Sequence, residues 1–170
     1  MPRAEENASE KPRPRTPTRR KVIAWAWVVA WALVIWTFGS DEFSFEESSD
    51  TVYPWLDWLT GDLDYRTRYR IYVAIRKSAH FIEYAILALL TFRAALIAAA
   101  RTQLATAAWV ALFLVAVLAT ADEARQSFSA VRTGSPYDVL IDVSGGLVMV
   151  VGLVVIARRF RAPDAVESSA

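Results

Sequence analysis

Long apolar blocks alternate with short polar segments along the chain. Each of four blocks contains 17 to 23 residues with at most three histidine or charged side chains, and together they cover residues 22–38, 78–100, 104–121 and 139–157. A helix needs about 20 mainly apolar residues to cross ~30 Å of hydrocarbon, whereas barrel strands are much shorter. The pattern predicts an all-α integral membrane four-helix bundle, with helices at about 22–38, 77–100, 104–124 and 137–157.

Composition and charge agree with this class and suggest a direction in the membrane. Of the 170 residues, 55% are hydrophobic, whereas soluble domains contain about 45–50%. The formal net charge is +1, but residues 1–21 contain seven basic and three acidic residues, while residues 39–70 contain three basic and eight acidic residues. Because basic segments favour the cytoplasmic side, we expect an N-in/C-in bundle in the cell membrane. The chain has no cysteine, which excludes disulfides and thiolate metal ligands.

The polar segments divide the rest of the chain. Residues 1–20 carry four prolines among charged residues and bury too little apolar surface to order themselves, which predicts a disordered basic cytoplasmic tail. Residues 21–160 form the predicted transmembrane domain, with an outer acidic loop at 39–70. Residues 161–170 are predicted to be a flexible tail.

Polar side chains inside the apolar blocks are the informative ones, because they are costly in lipid and usually face protein or water. In the second helix they share one face of about 120°. The up-down order of the helices brings them to the same depth as the end of the third helix and the start of the fourth. We therefore predict one extracytoplasmic pocket, lined by Lys77, His80, Glu83, Tyr84, Asp122, Glu123, Arg125, Gln126, Arg132, Asp138 and Asp142.

Structural explanations remain open for several of these residues. Ser135 and Pro136 mark a helix start, so Asp138 can serve the helix N-terminus. His80 can be a satisfied buried histidine, and carboxylates such as Asp142 can simply join helices through ion pairs. The glycine-rich stretch 144–146 predicts a close approach of another helix.

These residues resemble the VanZ-like family of small bacterial membrane proteins over about residues 72–157. The resemblance rests on the runs Lys77–Tyr84 and Asp122–Gln126, on Arg132, and on Asp138–Gly145. In the family, Asn is common at the position of Asp142, so this pocket is expected to be more acidic. The resemblance implies a cell-envelope protein; the founding member is associated with teicoplanin resistance, and no reaction is defined for the family.

Three function classes remain open at this stage. The first is a pocket that binds a lipid, polyprenyl or lipoglycopeptide headgroup, with membrane lipids as partners. The alternative is an intramembrane lipid hydrolase or transferase, whose catalytic residues are unknown, with His80, Glu83 and Glu123 as candidates. Transport or scaffolding is the third, and a homo-oligomer stays open. We expect no cofactor, no nucleic acid partner and no metal, since one histidine without cysteine is a weak ligand set.

Overall fold

The protein forms four long helices and, within the described residues, no strand. The computed structural model describes residues 17–40, 52, 54, 55, 57–61, 63–98, 103–129 and 134–161, with only the backbone of the last. The helices are α1 (Thr18–Phe38), α2 (Tyr65–Ala98), α3 (Leu104–Ser127) and α4 (Pro136–Arg161). All four are long and apolar enough to cross a membrane. The predicted all-α, four-helix membrane fold is therefore confirmed.

Two helices begin earlier than the hydrophobic pattern predicts. α1 begins at Thr18, inside the segment predicted to be disordered, and α2 begins at Tyr65, within the predicted loop 39–70. The apolar pattern missed these turns because their residues are charged. Residues 1–16, 41–50 and 162–170 lie outside the described residues, and with them most of both predicted tails and part of the acidic loop.

A side-chain cap explains where α2 begins. The Asp64 carboxylate accepts hydrogen bonds from the Thr67 amide at 3.1 Å and from the Thr67 hydroxyl at 2.6 Å. These bonds satisfy helix N-terminal donors that otherwise have no partner. The Thr67 side chain is also the main reason why the pKa of Asp64 lies below its ordinary value.

The length of α2 shows that its first turns project beyond the apolar layer. Its 34 residues span about 51 Å at 1.5 Å per residue, which exceeds the ~30 Å of hydrocarbon. The described residues of 57–60 are helical, and Asp57 pairs with Arg68 at 3.1 Å. The basic start of α2 is thus tied to the segment that precedes it.

Small residues set the packing of the bundle. α2, α3 and α4 pack against one another, and α1 packs along α2. The core contains many buried alanines, among them Ala88, Ala94, Ala107 and Ala111. Small side chains let helix backbones approach closely in a membrane, where no hydrophobic effect drives helices together. The apolar faces that remain exposed on all four helices suit contact with lipid.

Candidate functional site

α2 and α4 run parallel and bring basic and acidic side chains together in successive turns. Lys77 forms an ion pair with Asp138. One turn further along both helices, His80 Nδ1 lies 3.4 Å from Asp142 Oδ1. This separation is longer than an ordinary hydrogen bond, and the contact is an ion pair only when the imidazole is protonated.

Glycine allows these two helices to approach so closely. A Cβ added at Gly145 would collide with the carbonyl oxygen of Phe81 and lie only 3.0 Å from its carbonyl carbon. The predicted close approach at this glycine-rich stretch is confirmed, and α2 is the partner. Since Phe81 follows His80 in the chain, the contact holds the two helices together beside the polar pairs.

The end of α3 contributes a second polar group. The Asp122 carboxylate accepts hydrogen bonds from Arg125 Nη2 and from Gln126 Nε2, both at 2.8 Å. The Arg125 guanidinium also lies over the Trp36 ring, 4.1 Å from its centroid, which is cation–π geometry. At Gly39, just after α1, an added Cβ would overlap the Asp122 and Arg125 side chains. The end of α1 thus covers this group.

Glu123 joins α3 to the start of α4 and borders an opening. Its Oε2 accepts a hydrogen bond from the Ser135 amide at 2.7 Å. Glu123 also lines a cavity of about 400 Å³ between the two helices, together with Ala124, Pro136 and Val139. The walls of this cavity are mainly apolar, and Glu123 is one of its polar lining residues, with Oε1 buried.

Tyr84 lies at the centre of the site and is completely buried. Its ring is within electrostatic range of carboxylates on three helices, Glu83, Asp122, Glu123 and Asp142. We call the set Lys77, His80, Glu83, Tyr84, Asp122, Glu123, Arg125, Gln126, Asp138 and Asp142 the polar cluster. It lies at the end of the bundle where α1 and α3 end.

Several buried atoms of the polar cluster have no hydrogen-bond partner among the residues that the structure describes. They are the Tyr84 hydroxyl, His80 Nδ1, Arg125 Nε, Glu123 Oε1 and both Asp142 carboxylate oxygens. Three of the six are carboxylate oxygens, whereas Lys77 Nζ and Arg125 Nη2 are already paired with carboxylates. The arrangement therefore offers acceptors to a ligand that brings hydrogen-bond donors. Within the described ranges, no three His, Asp or Glu side chains are grouped as a metal site.

Ten of the eleven residues predicted for the pocket thus meet at one end of the bundle, and Arg132 lies outside the described residues. That they bind a ligand stays a prediction. The sequence reasoning missed the part played by α1: Trp31 Nε1 donates to the Glu83 carbonyl oxygen at 2.9 Å, and Trp36 and Gly39 cover Arg125. Tryptophan carries an N–H that needs a partner when buried, so the tryptophan-rich first helix was the available signal.

The motifs that meet in this cluster are those on which the family resemblance rests. A family model described as VanZ/LLP1 matches residues 23–158. The chain belongs to the VanZ-like family. The match includes α1, so the family likeness extends beyond the residues 72–157 first recognised. No curated protein and no solved structure matches this VanZ-like chain.

Proposed function

We propose that this VanZ-like protein is a binding protein of the bacterial cell envelope. Its polar cluster would hold the headgroup of a lipid, a polyprenyl-linked precursor or a lipoglycopeptide. The supporting observation is the set of buried acceptors without a described partner, Glu123 Oε1 and both oxygens of Asp142. Buried polar groups are costly unless they are hydrogen-bonded, and a headgroup with amine or hydroxyl donors would satisfy them.

The charge pairs of the polar cluster favour a headgroup that donates hydrogen bonds over one that is only an anion. Lys77 and Arg125 each already pair with a carboxylate of the cluster. A phosphate would have to compete with those carboxylates for the two cations. An ammonium or a sugar hydroxyl would instead add a partner to Glu123 and Asp142 without breaking an existing pair.

The opening between α3 and α4 offers a route for such a molecule. Its volume of about 400 Å³ lies within the ordinary range of ligand pockets, about 300–1,000 Å³. Apolar walls at Pro136 and Val139 suit an acyl or prenyl chain, while Glu123 meets the headgroup. The ligand would therefore enter sideways from the lipid layer.

Binding is tested with two lipids whose headgroups differ in that three methyl groups replace the three N–H donors. The purified full-length protein is titrated with phosphatidylethanolamine and with phosphatidylcholine of the same acyl chains, and bound lipid is counted by native mass spectrometry. Because a hydrogen bond to a charged group contributes about 1.5–3 kcal/mol, we expect ethanolamine lipid to bind about tenfold or more tightly.

Matched variants assign that preference to the cluster. Glu123→Gln keeps the side-chain size and should remove most of the preference. Asp57→Asn neutralises a carboxylate that pairs with Arg68 away from the cluster and should keep it. Equal binding of the two lipids by the native protein, or equal behaviour of the two variants, contradicts the proposal.

The proposed orientation places the cluster on the extracytoplasmic side of the plasma membrane, with both chain ends in the cytoplasm. The lack of native cysteine allows a clean test with single exposed cysteines. In intact cells, a membrane-impermeant maleimide should label Thr60→Cys, before α2, and spare Gln103→Cys, between α2 and α3. The reverse labelling would invert the topology and with it the location of the cluster.

The His80–Asp142 contact supports a second candidate, an intramembrane hydrolase or transferase acting on lipid. A carboxylate beside an imidazole can orient it as a general base, and Glu83 lies one turn further along α2. In proteoliposomes, His80→Ala should then abolish lipid turnover, whereas Asp57→Asn should preserve it. Lipid that stays unchanged on incubation with the native protein would leave binding as the better candidate.

A further inference from the structure

A second cavity lies at the opposite end of the bundle from the polar cluster, between the start of α1 and the end of α2. Its volume is about 290 Å³. α1 lines it with Arg20, Ile23, Ala24 and Trp27. α2 lines it with Leu90, Arg93 and Ile97.

The two arginines of this cavity, which we call the α1–α2 groove, have no acidic neighbour on either wall. Neither α1 nor the stretch 84–98 of α2 contains Asp or Glu. Among the described residues, the ion pairs involve neither Arg20 nor Arg93. Arg93 is also the sole ionisable side chain between Tyr84 and Ala98. Arg93 is exposed, and a guanidinium within an apolar stretch usually reaches the membrane surface or meets a partner.

The charged and apolar residues of the groove follow each other in the same order as the headgroup and the chains of a lipid. Arg20 lies within the first turn of α1, and Arg93 lies about 7.5 Å before Ala98 along α2, so both guanidiniums can reach the headgroup level. Trp27 lies about 10 Å deeper than Arg20 along α1 and is 64% exposed. Charge therefore lies near the membrane surface, and apolar surface continues from it towards the centre.

We propose that the α1–α2 groove binds an anionic phospholipid. The lipid phosphate lies between Arg20 and Arg93, since guanidinium groups donate paired hydrogen bonds to phosphate oxygens. An acyl chain follows Ile23 and Trp27 towards the membrane centre. The cavity volume of about 290 Å³ accommodates a headgroup and the first part of a chain, while the rest of the lipid stays in the bilayer.

This site differs from the polar cluster in place and chemistry, because it offers cations where the cluster offers acceptors. The full-length protein in mild detergent is titrated with phosphatidylglycerol, with phosphatidylcholine and with inorganic phosphate, and bound species are counted by native mass spectrometry. We expect phosphatidylglycerol to bind at least about tenfold more tightly than phosphatidylcholine, with no competition from millimolar phosphate. Equal binding of both lipids, or displacement by inorganic phosphate, overturns the proposal.

Paired variants locate the binding. The double variant Arg20→Gln/Arg93→Gln should lose the preference for phosphatidylglycerol. Arg158→Gln/Arg159→Gln removes two exposed charges at the same end of the bundle and should keep it. The same loss in both double variants would mean general surface charge and would refute the site.

A third measurement uses the native sequence and so does not depend on whether the variants fold. Phosphatidylglycerol with a photoactivatable group in its acyl chain is cross-linked to the protein, and the labelled peptides are identified. We expect labels on α1 near Trp27 and on α2 near Leu90. Equal labelling of Val148 and Val155, exposed residues on α4, would contradict a defined groove.

Discussion

Replacing Gly145 with alanine should separate α2 from α4. The added Cβ would overlap the Phe81 carbonyl oxygen and lie 3.0 Å from its carbon. These are backbone atoms, so a helix must move, and overpacking of this kind costs about 1–3 kcal/mol. Alanine returns about 0.5–1 kcal/mol of helix propensity. We therefore expect the free energy of unfolding to fall by about 1 kcal/mol, and by about 2.5 kcal/mol at most.

Two other glycines of α4 provide the controls. At Gly152 an added Cβ meets nothing within 4 Å, so Gly152→Ala should be neutral or slightly stabilising. At Gly146 it meets the Val115 side chain at 2.9 Å, which can shift more easily than backbone, so the loss should be intermediate. Unfolding of each purified variant is followed by circular dichroism during titration with a denaturing detergent. Gly145→Ala as stable as Gly152→Ala would refute this account of the packing.

Three further predictions concern the ends and joins of the helices. Asp64→Ala should speed amide hydrogen exchange in the first turn of α2. Because the folded pKa of Asp64 is lowered, the native protein should keep its protection against exchange until the pH falls through that lowered value. Protection that acid does not affect would contradict the cap. Trp31→Phe removes the 2.9 Å bond to the Glu83 carbonyl and should cost about 1 kcal/mol of stability, with earlier cleavage of α1 in limited proteolysis. A double-mutant cycle on Lys77 and Asp138 should give only about 0.2–1 kcal/mol of coupling energy, since the Lys77 side chain is 43% exposed. A larger coupling energy would show that the ion pair is shielded from solvent.

The helices could be predicted from the sequence because lipid imposes a length and a composition on any segment that crosses it. The same reasoning failed at the start of α2, where helix continues outside the apolar layer and hydropathy carries no information. The signal there was local: Asp64 followed three residues later by Thr67 is typical of a capped N-terminus. A search for caps beside the hydropathy pattern would have found that boundary.

The common depth of the polar side chains was also predictable, since it follows from up-down topology. Their pairing was not. Which carboxylate meets Lys77 or His80 depends on how far α4 is rotated and shifted against α2, and a helix gives 100° of rotation per residue. In the folded protein, the contact of Gly145 with the Phe81 backbone fixes both the rotation and the shift of α4 against α2. The sequence shows only that residue 145 is small, and not which backbone it contacts.

The register of α4 against α2 determines both the Gly145 contact and the positions of the carboxylates in the polar cluster. Asp138, Asp142 and Gly145 fall on one stripe of α4, and their partners on α2 follow in the same order, so a one-residue slip of α4 would break all three contacts together. Asp142 is completely buried beside the close approach at Gly145, and the His80 imidazole lies next to its carboxylate. The packing that stabilises the bundle therefore also leaves both Asp142 carboxylate oxygens buried and, among the described residues, without a hydrogen-bond partner. An apolar side chain at position 142 would pack in the same space more cheaply, which is a further reason why we propose that the buried carboxylate serves a ligand.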